Sequence, residues 1–431
     1  MKIFFITLLI FSFVNSASAQ DNLKFYIKAA FENNLRLNAE RKNQKSIKQN
    51  INISRSEFLP SISLSGDQTS SQSTNQINQS GSNLSDSNLD SETKTISVDQ
   101  KIFQGFKGYN SLKKSELEFK QANLNLEKVE QETILKTIAA YYDYQFKIKN
   151  EEFNISNVNL FERQVESDSA RLQKGEITLT DLAQSESSLA GANANLIKAK
   201  TELLSSKINF ERITREKAPT KMITNQKLII DLPSTLQEAL NISNQNNKNL
   251  LISKLDYKIA ERELNIEKAR LSPSASLNYS KSENKDFSST IDEIDKETVK
   301  ATVTWPIIKG GENVSSIKKF SLKKQRYLLL SKDAENKAIT ETTNAWSRYQ
   351  SSESVLTATE AQLKAAEIAN EGITLEYDSG NTRTTLDVIQ SRSLLLDARI
   401  AFAKAERDFV ISEAELSLQI GTLSLESINI L

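Results

Sequence analysis

The sequence predicts a mainly α-helical chain with four membrane β-strands, which several copies of the chain would combine into one barrel. Three observations indicate this fold. Glycine and proline are scarce, with 11 and 5 positions among 431 residues, so few turns and long elements are expected. The sequence is duplicated, and each half contains two stretches in which apolar and polar residues alternate. We therefore expect long helices and paired strands in each half.

Internal repetition is the strongest feature of the sequence. Four matches occur in the same order in both halves: residues 58–61 with 271–274, Gly105 with Gly310, Gly175 with Gly380, and residues 184–187 with 390–393. The repetition divides the mature chain into four parts: a first repeat at residues 20–219, a linker at 220–233, a second repeat at 234–423 and a tail at 424–431.

Residues 1–19 have the pattern of a secretory signal peptide. Lys2 gives the positive start, residues 3–14 are an apolar run, and Ala17 and Ala19 form a small-x-small cleavage site. The apolar run is too short to span a bilayer. We expect export and a mature chain that begins near Gln20, with an N-terminal membrane anchor as the alternative.

Each repeat opens with an amphipathic helix that a proline ends. The first helix is predicted at about residues 22–57, and the second runs from Ser234, as N-cap, to Arg270. Pro60 and Pro273 stop the two helices, because proline lacks an N–H group and clashes with the preceding turn.

Alternating residues follow each proline and predict strands with one polar face. The strands begin at residues 61 and 274 and return at 96–102 and 299–305, after polar loops at 67–93 and 281–297. Polar faces rich in Ser and Thr suit an outer-membrane barrel better than a soluble sandwich. Four strands cannot close a barrel, and an open edge in hydrocarbon leaves backbone groups unsatisfied. At least two copies of the chain must therefore combine.

Each returning strand runs into glycine and then into a very long helix. Gly105 marks this junction in the first repeat, and Gly310 with Gly311 marks it in the second. Apart from Gly108 at its start, the stretch 106–172 contains neither proline nor glycine, which predicts a helix about 100 Å long. The matching stretch, 311–377, continues from Gly311 and predicts a second helix of the same kind.

The return helices have apolar or small residues every seven positions, which predicts supercoiled packing. The main seams are Leu182, Leu189, Leu196, Leu203 and Phe210, and Val388, Leu395, Phe402, Phe409 and Leu416. A series that starts at Ser185 and Ser391 lies three positions later, and a second seam starts at Ala183 and Ile389. Two adjacent seams let a helix pack against a neighbour on each side. This favours a closed ring of helices over a two-stranded rod, with a solid bundle as the alternative.

The composition argues against several kinds of function. The chain has 55 basic and 55 acidic residues, so no strong charge points to nucleic acid. Cysteine and histidine are both absent, which removes Cys nucleophiles, His general bases and nearly every zinc or haem site. We expect neither an enzyme nor a bound cofactor or metal.

Over essentially its whole mature length, the chain resembles the TolC family of outer-membrane channel-tunnels. The resemblance rests on the duplicated proline motif at 58–60, the junction QKIFQG at 100–105, and the segment from Tyr377 to Val388. It implies a homotrimer with a twelve-stranded barrel in outer-membrane lipid and a helical tunnel across the periplasm. The implied partners are a periplasmic adaptor (membrane fusion) protein and an inner-membrane transporter of ABC or RND type. The implied function is a passive exit duct for tripartite efflux pumps, type I protein secretion, or both.

The same resemblance implies a gate at the periplasmic end of the tunnel. In this gate, Tyr377 and Arg383 of the second repeat pair with Asp181 and Thr180 of the first and hold the helix tips together. A hydrogen bond from Tyr377 and a planar donor fork from Arg383 suit this role. A solvated hairpin turn with a helix N-cap is the alternative interpretation.

The resemblance also implies a constriction of the lumen. Asp387 matches an acidic position at which carboxylates from several copies would favour cations. The second acidic position of the family, three residues on, is Gln390 in this sequence. This difference argues against strong cation selectivity.

Three other classes of protein fit parts of the sequence. A soluble periplasmic coiled-coil adaptor, the main alternative, needs a β-rich module between helical arms and does not need duplication. An extracellular filament subunit would not carry four short alternating strands. An enzyme needs a nucleophile–base pair, a phosphate loop or a metal cluster, and none of these patterns occurs in the sequence.

Overall fold

A computed structural model describes residues 23–219, 228–288, 291–379 and 383–430. The described helices are α1 (Leu23–Asn33), α2 (Leu35–Ser56), α3 (Lys107–Gln173), α4 (Leu179–Thr214), α5 (Leu236–Asn246), α6 (Lys248–Ala269), α7 (Glu312–Asp378) and α8 (Thr385–Ile420). The described strands are β1 (Ser61–Ser73), β2 (Ser87–Gln104), β3 (Leu228–Ile230), β4 (Ser274–Ser288), β5 (Ile291–Thr304) and β6 (Ile428–Ile430). The predicted fold class, mainly helical with four long strands, is confirmed. The predicted signal peptide and Gly380 lie outside the described residues.

The two repeats have helices of equal length. α1 and α5 have 11 residues each, α2 and α6 have 22, α3 and α7 have 67, and α4 and α8 have 36. The scarcity of helix breakers therefore predicts α3 and α7 correctly. α7 continues through Gly372, where an added Cβ would meet open space. In the part of the chain that the structure describes, no helix is both long and apolar enough to cross a membrane.

The opening helix of each repeat is broken in two, which the sequence pattern did not predict. Asn34 separates α1 from α2, and its side-chain oxygen accepts hydrogen bonds from the backbone of Arg36 and Leu37 at 3.0 and 3.2 Å. In the second repeat, Asn247 lies between α5 and α6. An asparagine side chain can cap a new helix in this way, so an interior Asn ends one helix and starts the next.

The N-cap predicted at Ser234 is wrong by one residue. Thr235 caps α5, because its hydroxyl accepts from the backbone N–H of Glu238 at 3.2 Å. Ser234 instead donates to the Glu238 carboxylate through its backbone N–H at 3.0 Å. Both residues thus bind at the start of the same helix. The cap is Thr235, because its hydroxyl lies three positions before Glu238.

The four long strands form one antiparallel sheet in the order β1-β2-β4-β5. The register aligns apolar side chains in one row across the sheet, here called the apolar row: Ile62, Val98, Tyr279 and Val299. The next row, which points to the other face, is polar: Ser63, Ser97, Ser280 and Thr298. The predicted alternation of apolar and polar faces is therefore present on all four strands.

The strands are longer than their apolar alternation predicts. The loop predicted at 281–297 is wrong, since β4 and β5 continue through it. Charged residues replace apolar ones there, and Lys285 faces Glu293 across the two strands at 4.0 Å. Opposite charges on facing strands support the pairing without a buried face. The loop predicted at 67–93 shrinks to residues 74–86, since β1 and β2 also continue into it, with polar residues such as Gln68 and Glu92 paired across the strands.

The strand-to-helix junctions use left-handed backbone. Gly105 and Phe106, between β2 and α3, have φ angles of 59° and 66°. Gly310 and Gly311, directly before α7, have φ angles of 54° and 83°. A Cβ added to Gly105 would collide with the Ser272 side chain and with the backbone beside it, whereas one added to Gly310 would meet nothing. Gly105 is therefore required both by its conformation and by its neighbours.

The chain divides into two compact units. The first contains Met1–Asn38, Val129–Asn247 and Ile339–Leu431, and the second contains Ala39–Lys128 and Lys248–Ala338. The largest core of the first unit is built around aromatic rings, with Tyr26 and Phe210 at a centroid distance of 4.9 Å. β3, in the predicted linker, pairs with β6, in the predicted tail, and both contribute to this core. The second unit contains the four-stranded sheet.

The predicted seams are only partly covered within one chain. On α8 the second seam is packed, with Ile389 and Ala403 buried. On α4 the small-residue series is buried, but the second seam exposes Ile197 and Leu204 by 66% and 58%. In the first unit α3 makes ion pairs with both α4 and α8, and α8 also hydrogen-bonds to α7. α4 also contacts α1 and α8, and α7 contacts α3 through Tyr377 and Asp168.

Candidate functional site at the helix tips

The two return helices begin with the same capping arrangement. Thr178 Oγ1 accepts from the backbone N–H of Asp181 at 3.3 Å, and Asp181 Oδ2 accepts from the backbone N–H of Thr178 at 2.9 Å. Thr384 and Asp387 repeat this arrangement at 3.2 and 2.8 Å. Such a reciprocal pair satisfies two backbone donors that a helix start leaves free. Within the chain, the acids predicted for the gate and the constriction are helix caps.

These hydrogen bonds lower the pKa values of both capping acids. The hydroxyl of Thr178, and then its backbone N–H, hold the pKa of Asp181 below its usual value of 3.8. For Asp387 the backbone N–H of Thr384 is the first cause and its hydroxyl the second. A carboxyl whose pKa is lower in the folded state stabilises that state above its ordinary pKa. This stabilisation is lost as the pH falls through the lowered pKa.

Tyr377, predicted to pair with Asp181, reaches a different acid. Its hydroxyl donates to Oδ1 of Asp168 on α3 at 2.8 Å. Because its single proton is used there, its oxygen accepts from the hydroxyl of Thr385 at 3.1 Å. Burial is the main cause that raises the pKa of Tyr377, and the bond to Asp168 raises it further. The hydroxyl is therefore a stable donor at neutral pH.

Asp168 is the centre of a buried polar cluster. Its residue is 0% exposed, and its carboxylate also accepts from Ser185 Oγ at 2.5 Å and from Gln164 Nε2 at 2.9 Å. Its members, here called the tip cluster, are Gln164, Asp168, Ser185, Tyr377 and Thr385, each at most 5% exposed. They come from α3, α4, α7 and α8. The Asp168 carboxylate therefore joins α3, α4 and α7, and Tyr377 extends the cluster to Thr385 of α8.

Two arginines lie beside the tip cluster. The Arg171 guanidinium is 4.6 Å from the centroid of the Tyr377 ring, which suits a cation–π contact. Arg392 donates to the backbone carbonyl of Leu160 at 3.1 Å. Burial lowers the pKa of Arg392, while the nearby carboxylates, Asp168 among them, act in the opposite direction. These cations offset the negative charge that Asp168 carries into the cluster.

The predicted links do not form within one chain. Arg383 Nε donates to Glu376 Oε2 at 2.6 Å, and this bond raises the pKa of Arg383. Thr180 lies exposed in the first turn of α4. Among the described residues, no hydrogen bond or ion pair joins Tyr377 or Arg383 to Thr180 or Asp181. Tyr377, Arg383 and Asp181 have other partners within the chain, and the gate links stay a prediction.

The predicted constriction residues lie one turn apart on α8. Asp387 is half-buried and Gln390 is exposed. Capping uses only the Oδ2 atom of Asp387, so its role in a lumen formed by several copies stays a prediction. Over the described ranges, no group of three or more acidic side chains has the arrangement of a metal site.

The sequence contains a signal for Asp168 that sequence reasoning missed. Asn154, Phe161 and Asp168 follow one another at seven-residue spacing on α3, and all three are buried. An acid in a buried seven-residue series needs a buried partner. Ser185, which belongs to the predicted small-residue series of α4, is one of those partners.

Comparisons with known proteins agree with the fold and with the repeats. The sequence model of the family described as outer membrane efflux protein matches residues 26–214 and 239–422. The outer membrane efflux protein BepC of Brucella suis is 25% identical over 419 residues, which cover 96% of this chain and 88% of BepC. Outer membrane protein TolC of Vibrio cholerae is 24% identical and covers 96% of this chain and 94% of that protein.

The structural comparison extends over the same length. The Campylobacter jejuni CmeC outer membrane channel matches with a TM-score of 0.83 at 16% identity, over 94% of this chain and 86% of that one. At this identity the match supports the fold, and the family match covers most of both repeats. The chain therefore belongs to the outer membrane efflux protein family.

Proposed function

We propose that the chain is the outer-membrane exit duct of a tripartite efflux pump. Three copies combine their sheets into one twelve-stranded barrel, and their long helices form a periplasmic tunnel. The family and the name of the relative BepC support efflux over other uses of such a duct. The duct is passive, and a periplasmic adaptor with an inner-membrane transporter delivers the cargo.

The observation that carries this proposal is the apolar row across the four-stranded sheet. Ile62 and Val299, at its two ends, are 74% and 70% exposed. β1 and β5 are the edge strands of the described sheet. Lipid suits an exposed apolar row, but it also requires that every backbone group at a strand edge be paired. Further copies of the chain supply both the closure and the polar lumen.

Exposed seams on the helices of the first unit support the same assembly. α4 exposes Ile197 and Leu204, and α7 exposes Ile368 and Leu375 by 65% and 64%. Within each pair the residues are seven positions apart, which is the spacing of coiled-coil packing. Because the two exposed seams lie on different helices, they favour contact between α4 of one copy and α7 of the next. Head-to-tail contacts of this kind form a ring when the rotation between successive copies closes, as a trimer requires.

The gate of the duct lies at the helix tips in this proposal. The tip cluster holds the ends of α3, α4, α7 and α8 together within each copy. Asp387 and Gln390 face the lumen when the copies combine. Arg383 and Thr180, both exposed, are available to a neighbouring copy.

Reconstitution of the purified protein tests the proposal. From outer-membrane fractions in detergent, the protein should run as a trimer that heating converts to monomer. In planar bilayers it should produce stepwise conductance. The double variant Ile62→Lys with Val299→Lys should produce no conductance steps. A lysine on the lipid face in mid-bilayer costs about 2–4 kcal/mol, so the barrel should not insert. Ser63→Lys, one row away on the polar face, should still insert.

A monomer that stays dissolved without detergent and forms no channels would contradict the proposal. That result would favour the soluble periplasmic adaptor instead. The adaptor interpretation gives no reason for an apolar row on four adjacent strands.

A further inference from the structure

The tip cluster points to one residue that controls the duct, and this inference rests on the proposed function. We propose that Asp168 is the positioning residue of the gate. Its buried carboxylate holds Tyr377 of α7 against α3, and the duct opens when that hydrogen bond breaks.

The cluster contains bonds of two kinds. Helices α3 and α4 form the first hairpin, and α7 and α8 form the second. The bond from Ser185 to Asp168 lies within the first hairpin, so it survives when the two hairpins separate. The bond from Tyr377 to Asp168 joins the two hairpins, so separation must break it. Among the hydrogen bonds of Asp168, the one with Tyr377 therefore reports on the relative position of the hairpins.

The surroundings of Asp168 make this bond costly to lose. Tyr377 and Asp168 are 5% and 0% exposed, so water does not reach the pair in this conformation. When Tyr377 leaves, the carboxylate keeps only Ser185 and Gln164 as donors. A hydrogen bond to a charged group shifts an equilibrium by about tenfold or more. In a trimer three such bonds favour the joined conformation, and a partner protein must overcome them to open the duct.

The two repeats have diverged at the positions of this pair. In the register of the two turn glycines, Asp168 corresponds to Ile373, and Tyr377 corresponds to Leu172. The hairpin turn therefore does not itself require an acid or a tyrosine at these positions. The divergence gave one hairpin the acceptor and the other hairpin the donor.

Asp181 has a separate task within the chain. Its Oδ2 atom accepts from both the backbone N–H and the hydroxyl of Thr178, at 2.9 and 2.7 Å. Its hydrogen bonds are thus made inside the first hairpin, at the start of α4. The bond between the hairpins belongs to Asp168.

The test is a double-mutant cycle in planar bilayers with the full-length protein. Wild type, Asp168→Asn, Tyr377→Phe and the double variant are compared by single-channel conductance and open probability. Each single variant removes the bond from all three copies and should raise the open-to-closed ratio at least about tenfold, and the double variant should add little to the larger single effect. Independent effects that multiply in the double variant would overturn the proposal.

Two further variants separate gating from folding. Ser391→Ala removes the equivalent hydroxyl of the second repeat, which binds Asn370 within one hairpin at 3.1 Å, and it should leave the open-to-closed ratio unchanged. Asp181→Asn tests the other acid at the helix tips. A larger increase in the open-to-closed ratio for Asp181→Asn than for Asp168→Asn would overturn the assignment. Thermal unfolding of each trimer is recorded in parallel. Lower thermal stability with unchanged gating in Tyr377→Phe would mean a merely structural role.

The outcome for wild type distinguishes the two proposals. A wild-type protein that forms no channels would overturn the proposed function and the role of Asp168 together. Wild-type channels with unchanged gating in both single variants would overturn the role of Asp168 alone. If Asp168→Asn fails to assemble, Tyr377→Phe, which keeps the ring and removes one oxygen, decides the question.

Discussion

Carboxylates at the helix tips serve two different purposes. Asp181 and Asp387 lie at helix starts, where each accepts hydrogen bonds from the threonine three residues earlier. Asp168 is fully buried and binds side chains from α4 and α7. Loss of a cap frays one turn of one helix, whereas loss of Asp168 removes a contact between hairpins. Substitution of a capping acid should therefore change local helix stability, whereas substitution of Asp168 should change the contact between hairpins.

Removal of a capping hydroxyl should loosen only the start of its own helix. Thr178→Ala removes the acceptor at the start of α4, and such a change costs about 1 kcal/mol. Amide hydrogen exchange in the first turn of α4 should then rise about fivefold, because exchange follows the free energy of local opening. In wild type the same protection should fall as the pH drops through the lowered pKa of Asp181, below its usual 3.8.

Thr201→Ala is the control for this prediction. Its hydroxyl bonds to the carbonyl of Ile197 in the middle of α4, far from either cap. Unchanged exchange at the first turn in Thr178→Ala, or an equal change in Thr201→Ala, would contradict the capping role.

Local spacing explains which tip residues the sequence predicts. A threonine three residues before an acid at a helix start is a local pattern, so the N-cap interpretation was available from the sequence alone. The partner of Tyr377 lies 209 positions away and depends on how α3 and α7 pack. The resemblance implied Asp181 for this partner, whereas within the described chain Tyr377 donates to Asp168 on α3. Side-chain choice between two nearby acids is a packing outcome that spacing does not encode.

At the scale of an element, the junction between β2 and α3 is the most constrained turn. Two successive residues, Gly105 and Phe106, have left-handed backbone there. The neighbouring Ser272 leaves no room for a side chain at Gly105. Strand and helix are thus joined at a fixed angle with no free residue between them.

Three glycine variants should destabilise the protein in a fixed order. Gly105→Ala should be the most damaging, because it adds a collision to the cost of left-handed backbone, about 1–2 kcal/mol for alanine. Gly310→Ala has the same backbone cost but open space around it, and should be intermediate. Gly66→Ala, in strand β1 with no close neighbours, should have little effect. Thermal unfolding followed by circular dichroism measures the order, and equal values for Gly105→Ala and Gly66→Ala would contradict it.

Elements with uninterrupted patterns were predictable, and elements that depend on distant partners were not. α3 and α7 follow from the scarcity of breakers, which is a local property, since each contains one glycine and no proline. In the sequence, the charged extensions of β4 and β5 have the composition of loops. The structure pairs them as strands, with Lys285 facing Glu293. β3 and β6, three residues each, exist only because two distant segments meet.

At the scale of the whole molecule, the exposed seams decide whether the chain functions alone. The single chain covers both seams of α8 but leaves the second seam of α4 open. An aliphatic side chain gains about 1.5–3 kcal/mol when it leaves water, so a row of them favours association. The same argument applies to the apolar row of the sheet, with lipid as the covering medium.

A charge placed in the open seam of α4 should block assembly without unfolding the chain. In Ile197→Asp, each copy loses about 2 kcal/mol of burial and places a carboxylate in the contact. The trimer fraction in cross-linking or analytical ultracentrifugation should fall, while the helical circular dichroism stays. Asn195→Asp, exposed on the opposite side of α4, should assemble normally. A trimer fraction equal to wild type in Ile197→Asp would show that this seam is not an interface.

The equal lengths of corresponding helices restrict how such a chain can vary. A single inserted residue in α3 or α7, each of 67 residues, would rotate all later side chains by about 100° about the helix axis. Every seam downstream would then face the wrong neighbour. Substitutions can accumulate freely, but insertions and deletions must come in whole heptads or fall outside the helices. Residues 74–86, between β1 and β2, carry no such restriction, which makes this segment the natural position for an epitope tag or a fluorescent label.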